Sequence, residues 1–254
     1  MKTVPNYEPF YNNLKDSNFV GKYRLFLIRN IKEDDITSRR YTNIGVYTGG
    51  NLKYLAGEEI KNFDPGDGVN RNFYVLNNSP STVNYVDLIL DRNIADTNVC
   101  FNSTNTSSIP NIVLDKLKEV TSSWTNVSFL TNYTYQLGDI YTINYNGYRA
   151  RLLEVNDILN FLGCREDNET CFDYINSHEV TFDIENINYL TTNLESGKGY
   201  WTGIVVPNSN LYAWGIKYVT DTENTYGAIS PIEINNCLDI GIRPIIRVYK
   251  DQLK

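Results

Sequence analysis

One histidine in 254 residues, His178, removes every site that needs two imidazoles and every Ser-His-Asp arrangement not centred on that position. It sits in NSHEV beside Glu179 and reads as a loop residue. HExxH, GxSxG, a Walker loop and GxGxxG are all missing, so hydrolase and nucleotide-binding readings have no motif behind them. Positive charge is also short: 23 Lys and Arg face 30 Asp and Glu, a net charge of −7. A reader of phosphate backbones concentrates Lys and Arg on one face, so nucleic acid is excluded as a partner. No window approaches the roughly 18 apolar residues of a membrane span, and MKTVPNYEPFYNNLKDSNFV has no basic start followed by an apolar run. No membrane span is expected in this chain.

Cysteine is sparse. Cys100, Cys164, Cys171 and Cys237 include no CxxC pair, which removes the zinc ribbon and the thioredoxin-type site. Two readings stay open. The four are reduced and pack as small hydrophobes, or, in an exported protein, Cys164 and Cys171 close the polar loop REDNET as a disulfide. Nothing in the sequence calls for a cofactor or a bound metal. The carboxylates Asp64 and Asp67 with Asn70 lack the alternate-position pattern of a calcium loop and read as turn chemistry. Glu33, Asp34 and Asp35 before Arg39 and Arg40 read as a solvated turn with local ion pairs. No catalytic residue stands out.

Tyrosine is plentiful: 20 residues, which with abundant Asn, Thr and Ser predict many short strands and polar turns. Strands are expected at 22–31, in a hairpin over 43–55 turning at Gly49 and Gly50, and at 72–76 after the Asp64–Gly68 turn. The clearest is 85–91, where Val86, Leu88 and Leu90 share one face and Asp87, Ile89 and Asp91 the other. Val113, Leu114, Leu117 and Val120 at helical spacing after Pro110 predict a helix over 113–123. A strand, an Asn146-Gly147 turn, a second strand and a helix over 155–162 ending at Gly163 follow. With no internal repeat and no Pro-, Gly- or Ser-rich linker, the organisation is one main domain over 69–254 and a strand-rich elaboration over 1–68.

Three stretches then fall in order: YVDLILDRNI (85–94), GYRARLLEVNDI (147–158), and GYWTGI leading to YAWGIKY and GIRPII (199–246). Together they resemble a family of bacterial domains that close on a YWTS…A…GVRPV pattern. That family is similar to the C-type-lectin-like superfamily, including formylglycine-generating proteins, Fibrobacter-type repeat domains and retroelement variable proteins. The resemblance implies an α+β fold in which the two helices flank a twisted antiparallel sheet holding 85–91, 199–206 and 242–248. Arg151, Leu152 and Glu154 match an Arg-Leu-Pro strand entering a helix, with Leu153 in place of the Pro. Gly241 and Arg243 match the closing strand, and Arg243 is expected to bond carbonyls of neighbouring loops. The paired cysteines of the formylglycine-generating members and the calcium-sugar triplets of true C-type lectins do not occur.

The resemblance therefore implies a non-catalytic recognition module, extracellular or on the cell surface, binding a protein or glycan ligand through the segment before the last strand. Trp201 and Trp214 belong to the core pattern. Asn208, Asn210, Tyr212, Asp221, Glu223 and Tyr226 are the expected contact residues, since Tyr adds contact area at small entropic cost and Asn adaptable hydrogen bonds. A carboxylate-based enzyme on the same scaffold and a structural subunit of a surface appendage are the alternatives.

Overall fold

Short strands punctuated by Asn, Asp and Gly turns dominate the chain, as its tyrosine- and asparagine-rich composition dictates. The structure is a computed structural model describing residues 23–24, 47–48, 54–77, 83–94, 98–103, 109–137, 141–161, 182–183, 185–195, 198–206, 209, 211–220 and 225–253. In the N-terminal segment, β1 (Tyr23–Arg24) pairs antiparallel with β2 (Tyr47–Thr48). The remainder of the expected 22–31 strand, the Gly49-Gly50 turn, the 33–40 charge cluster, His178 and the Cys164–Cys171 pair lie outside the described residues.

β3 (Glu59–Phe63), β4 (Arg71–Val75) and β5 (Tyr85–Leu90) form an antiparallel meander. Asp64 builds the β3–β4 turn, its Oδ1 accepting from the N–H groups of Gly66 at 2.7 Å and Gly68 at 3.1 Å. Gly66 has φ 113° and lies against the Thr125 and Asn126 backbone, so a side chain there would both strain and collide. Asp67 accepts from Arg71 at 2.7 and 2.8 Å and from the Trp124 indole at 3.1 Å. The Arg71 hydrogen bonds hold its carboxyl below the usual range. Both carboxylates face N–H donors, which is turn chemistry and not a calcium cage. The 68/69 division falls inside this turn, so the strand-rich elaboration supplies β3 as an edge strand of the main sheet. Further back, Tyr54 is buried and donates to the Leu253 carbonyl at 3.1 Å.

The first helix described, α1 (Asn111–Thr121), starts after Pro110 and buries Val113, Leu114, Leu117 and Thr121. Thr121 takes the fourth inward position that periodicity gives to Val120, because its hydroxyl bonds the Leu117 carbonyl at 2.7 Å and needs no other partner. β6 (Thr134–Leu137) and β7 (Tyr141–Asn144) pair with each other. The Asn146-Gly147 turn forms, with Gly147 at φ 82° and Tyr148 N–H donating to the Tyr145 carbonyl at 2.9 Å. The strands on its two sides do not pair: β8 (Ala150–Arg151) leaves for another sheet and leads into α2 (Val155–Phe161).

β9 (Phe182–Asp183) and a 3-10 turn over Glu185–Leu190 precede β10 (Gly199–Val205), β11 (Tyr212–Thr220), β12 (Thr225–Glu233), β13 (Ile240–Gly241) and β14 (Ile245–Tyr249). Two five-stranded sheets result, ordered β3-β4-β5-β14-β8 and β13-β10-β11-β12-β9. The fold is α+β and its sheets are antiparallel apart from the short parallel β10–β13 pairing. The expected single sheet does not form, since 85–90 and 245–249 share one sheet while 199–205 lies in the other. The cause is local. Pro244 has no N–H to donate, and around it Ile242 and Pro244 accept instead from Ile94 and Leu90 N–H at 3.0 Å each. The chain thereby passes from one sheet to the other within a few residues.

A single hydrophobic cluster fills the space between the sheets and α1. All seven residues of β10 are buried, so this strand is covered on both faces. Trp201 and Trp214 are core residues, as their pattern predicts; the Trp201 indole donates to the Val99 carbonyl at 2.6 Å and meets Phe101 edge to face. Arg243 is wholly buried and donates to the carbonyls of Leu190 and Thr192, each at 2.9 Å, with its guanidinium 4.6 Å from the Tyr200 ring. Cys100 and Cys237 form a disulfide that fastens the segment before α1 to the one before β13.

Two stability outcomes follow. Trp201→Ala is expected to cost about 3 to 5 kcal/mol in denaturant unfolding, through lost burial and an unanswered Val99 carbonyl. Reducing the Cys100–Cys237 bond, which spans 137 residues, should lower the guanidinium midpoint by an amount equivalent to about 4 to 5 kcal/mol in the chain-entropy account.

Candidate functional site

Of the six expected contact residues, Tyr212 and Tyr226 are described, while Asn208, Asn210, Asp221 and Glu223 lie outside the described residues. Both tyrosines are half-buried, and Tyr212 packs partly on the core. They belong to the longest ladder in the molecule, nine residue pairs between β11 and β12. Tyr212 faces Glu233 at one end, and Tyr226 faces Val219 near the other. Seven positions along a strand, 212 to 219, amount to about 23 Å. Tyr212 and Tyr226 therefore stand toward opposite ends of the β11–β12 hairpin. Leu211, beside Tyr212, is 59% exposed.

A second constellation is built where β5, β14, β8 and the start of α2 meet. In β5 the alternation puts Tyr85 and Asp87 on one face. Asp87 is paired with Arg247 across the ladder, Tyr85 with Tyr249, and Arg151 with Ile245, which brings these side chains to that same face. Arg247 grips Asp87 through Nε at 2.8 Å and Nη2 at 3.0 Å. Behind it, Arg151 reaches Asp87 at 3.2 Å and both carboxylate oxygens of Asp157. Asp157 also accepts from the Glu154 N–H at 2.9 Å, fixing the first turn of α2, and from Asn77 at 3.2 Å. Glu154 takes the Tyr133 hydroxyl at 2.8 Å on Oε2 and stands 3.9 Å from Arg151. Its Oε1 is buried without a partner.

Electrostatics separate Asp87 from Glu154. Burial alone would raise the Asp87 carboxyl, but the Arg151 and Arg247 guanidinium groups outweigh it and hold the group below the usual carboxylate range. Glu154 goes the other way: burial, only partly offset by Arg151 and then reinforced by Asp157, pushes its carboxyl up to about 7. Burial, together with the nearby carboxylates, also raises the Tyr133 phenol. Arg151 loses by burial and gains more from Asp157, Asp87 and Glu154, and stays firmly charged. Chemically, Asp87 and Asp157 are spent on guanidinium partners, and Glu154 is an acid near neutrality that only 5% of its surface connects to solvent. The network is a positioning device whose outer end, Arg247 with Tyr85 and Tyr249, reaches the surface.

Sequence reading placed Arg151 and Glu154 in a scaffold motif and Asp87 on the outward face of its strand, without joining them. The available signal was a carboxylate at an alternate position of an otherwise apolar strand, which needs a cation when the sheet is covered. Elsewhere, an open cavity of about 310 Å³ lies between β3 and the C-terminal residues, lined by Ile60, Phe63, Asn126 and Leu253 among others. Its Asn126 already bonds the Asp64 carbonyl at 3.1 Å, and Asp64 is taken up by the β3–β4 turn.

Because the native Glu154 carboxyl titrates near 7 against 4.5 in the unfolded chain, the folded state holds the extra proton between those values. Stability from this group is therefore fully present below about pH 4.5 and falls as pH rises to about 7, by on the order of 3 kcal/mol. Chemical denaturation across this range should show the slope in the natural chain and a much flatter profile in Glu154→Gln. Arg151→Met should instead cost roughly 3 to 5 kcal/mol at neutral pH, by leaving Asp157 without its guanidinium and Asp87 with Arg247 alone. No family model, curated protein or solved structure matches the chain.

Proposed function

We propose that the chain is a non-catalytic recognition module of the C-type-lectin-like type, exported to the cell surface or beyond, that binds a protein or glycan ligand through the two ends of the β11–β12 hairpin. The observation that carries this reading is the division of labour along that hairpin. Ala213, Trp214, Gly215 and Ile216 are buried in the stem, while Tyr212 and Tyr226 remain half-buried at its ends, with Leu211 exposed beside Tyr212. A buried stem with amphipathic aromatics at its ends, next in sequence to Asn208, Ser209 and Asn210, has the composition of a paratope.

Two further features support the reading. Arg243 bonds the carbonyls of Leu190 and Thr192, the role that the resemblance gives to the arginine of the closing strand. The Cys100–Cys237 disulfide suits an oxidising compartment. An enzyme on this scaffold would have to reach Glu154, the acid near neutrality, and that side chain is covered by Tyr133 and Arg151.

The reading is tested by screening the purified protein on glycan and protein arrays and repeating each hit with Tyr212→Ala and Tyr226→Ala. Either substitution should weaken a hit by roughly 1 to 2 kcal/mol while leaving the unfolding midpoint nearly unchanged. If both variants unfold, the hairpin ends are core and the reading loses its site. Assembly of the isolated chain into filaments would favour the appendage subunit.

A further inference from the structure

A surface arginine is ordinarily mobile, and an exposed ion pair contributes little. Arg247 is an exception in construction. Its two bonds to Asp87 are backed by Arg151, which is locked to Asp157, which in turn is bound to the backbone of α2 and to Asn77. The guanidinium lies 4.0 Å from the Tyr85 ring and 5.4 Å from the Tyr133 ring. Buried ion networks are a poor way to stabilise a fold, since apolar residues of similar volume do as well or better. What this one achieves is a surface guanidinium fixed in place between aromatic rings, with Nη1 not used on Asp87. That is the supporting shell of a preorganised contact site.

We infer that the face formed by Tyr85, Arg247 and Tyr249 is a binding site for a neutral carbohydrate, independent of the hairpin proposed above. Tyr249 is 50% exposed and Tyr85 37%, and the pleat sets both on the Arg247 side of the sheet. An exposed tyrosine ring offers an apolar surface to the C–H face of a pyranose, while the free edge of Arg247 and the phenol of Tyr249 serve its hydroxyls. Local charge decides against an ionic ligand: Arg247 is matched by Asp87 and Arg151 by Asp157, which leaves no excess of either sign in these pairs. Size decides against a stable protein partner, which needs about 800 Å² on each side around an apolar centre. Two tyrosines about a guanidinium span one or two sugar rings.

The test is calorimetric titration of the full chain with maltohexaose, cellohexaose, xylohexaose, mannohexaose and chitohexaose, at about 0.05 and 0.5 M NaCl, the range over which exposed charges become screened. At least one should bind, with the same affinity at both salts. Tyr249→Ala should weaken it about tenfold or more without moving the melting temperature, as an exposed anchor does. Arg247→Lys, which keeps the charge and loses the planar fork, should weaken it likewise. Tyr212→Ala should leave it unchanged, so that failure of the hairpin and failure of this site are told apart. Silence of all five sugars at millimolar concentration overturns the inference, as does binding that Tyr249→Ala does not affect. A change of sedimentation coefficient in Tyr249→Ala would reassign the face to a protein contact and equally overturn it.

Discussion

The run from Ile240 to Tyr249 belongs to both sheets, and the remainder of the architecture hangs on the way it crosses between them. Its first residues lie parallel to β10 and its last five antiparallel to β5. A strand can change partners this way only if the peptide groups at the crossing find other bonds. Ile242 and Pro244 carbonyls accept from Ile94 and Leu90 N–H respectively, and the buried Arg243 side chain supplies donors to the 190–192 turn. One proline and one arginine thus hold two ladders and a loop in a fixed relation. Tyr200, stacked under the same guanidinium and bonded to the same Leu190 carbonyl at 2.9 Å, ties β10 into the junction.

A second polar centre sits at the other end of β14. It is unlike the first, because Arg243 bonds the backbone carbonyls of Leu190 and Thr192, whereas Arg151 and Arg247 are set against acids. In a medium of low dielectric such groups are ordered by strong forces with steep distance dependence. Two acids consequently occupy different regimes within one cluster: Asp87 kept ionised by two guanidinium groups, Glu154 pushed up to about 7 by burial. The same burial that makes the cluster costly makes it stiff, and stiffness passes outward to the sheet face at Tyr85 and Tyr249.

Local pattern was legible where one element decides its own shape. Alternation marked β5, periodicity marked α1, and Asp64 with Gly66 and Gly68 marked their turn, because in each case the governing contacts lie within a few residues. Burial of Trp201 and Trp214 and the carbonyl bonds of Arg243 followed from the motif that the closing region resembles. Partnership was not legible. Nothing in 85–91, 199–206 and 242–248 tells that the middle one lies in a different sheet, since strand pairing is decided by residues far apart. The Asp87–Arg247 pair is 160 residues apart and the Cys100–Cys237 pair 137, beyond any spacing rule. The hairpin shows the same limit: the sequence 207–226 reads as one recognition segment, and only the nine-pair register separates its two ends.

The Cys100–Cys237 bond also makes a closed covalent ring of everything between those residues, α1, α2 and the strands β10, β11 and β12 included. A protease that cuts once anywhere inside the ring produces a nicked molecule and no free fragment, because the two pieces remain joined through sulfur. Cleavage in a turn and loss of the folded body are thereby separate events, the second requiring another cut or a reductant.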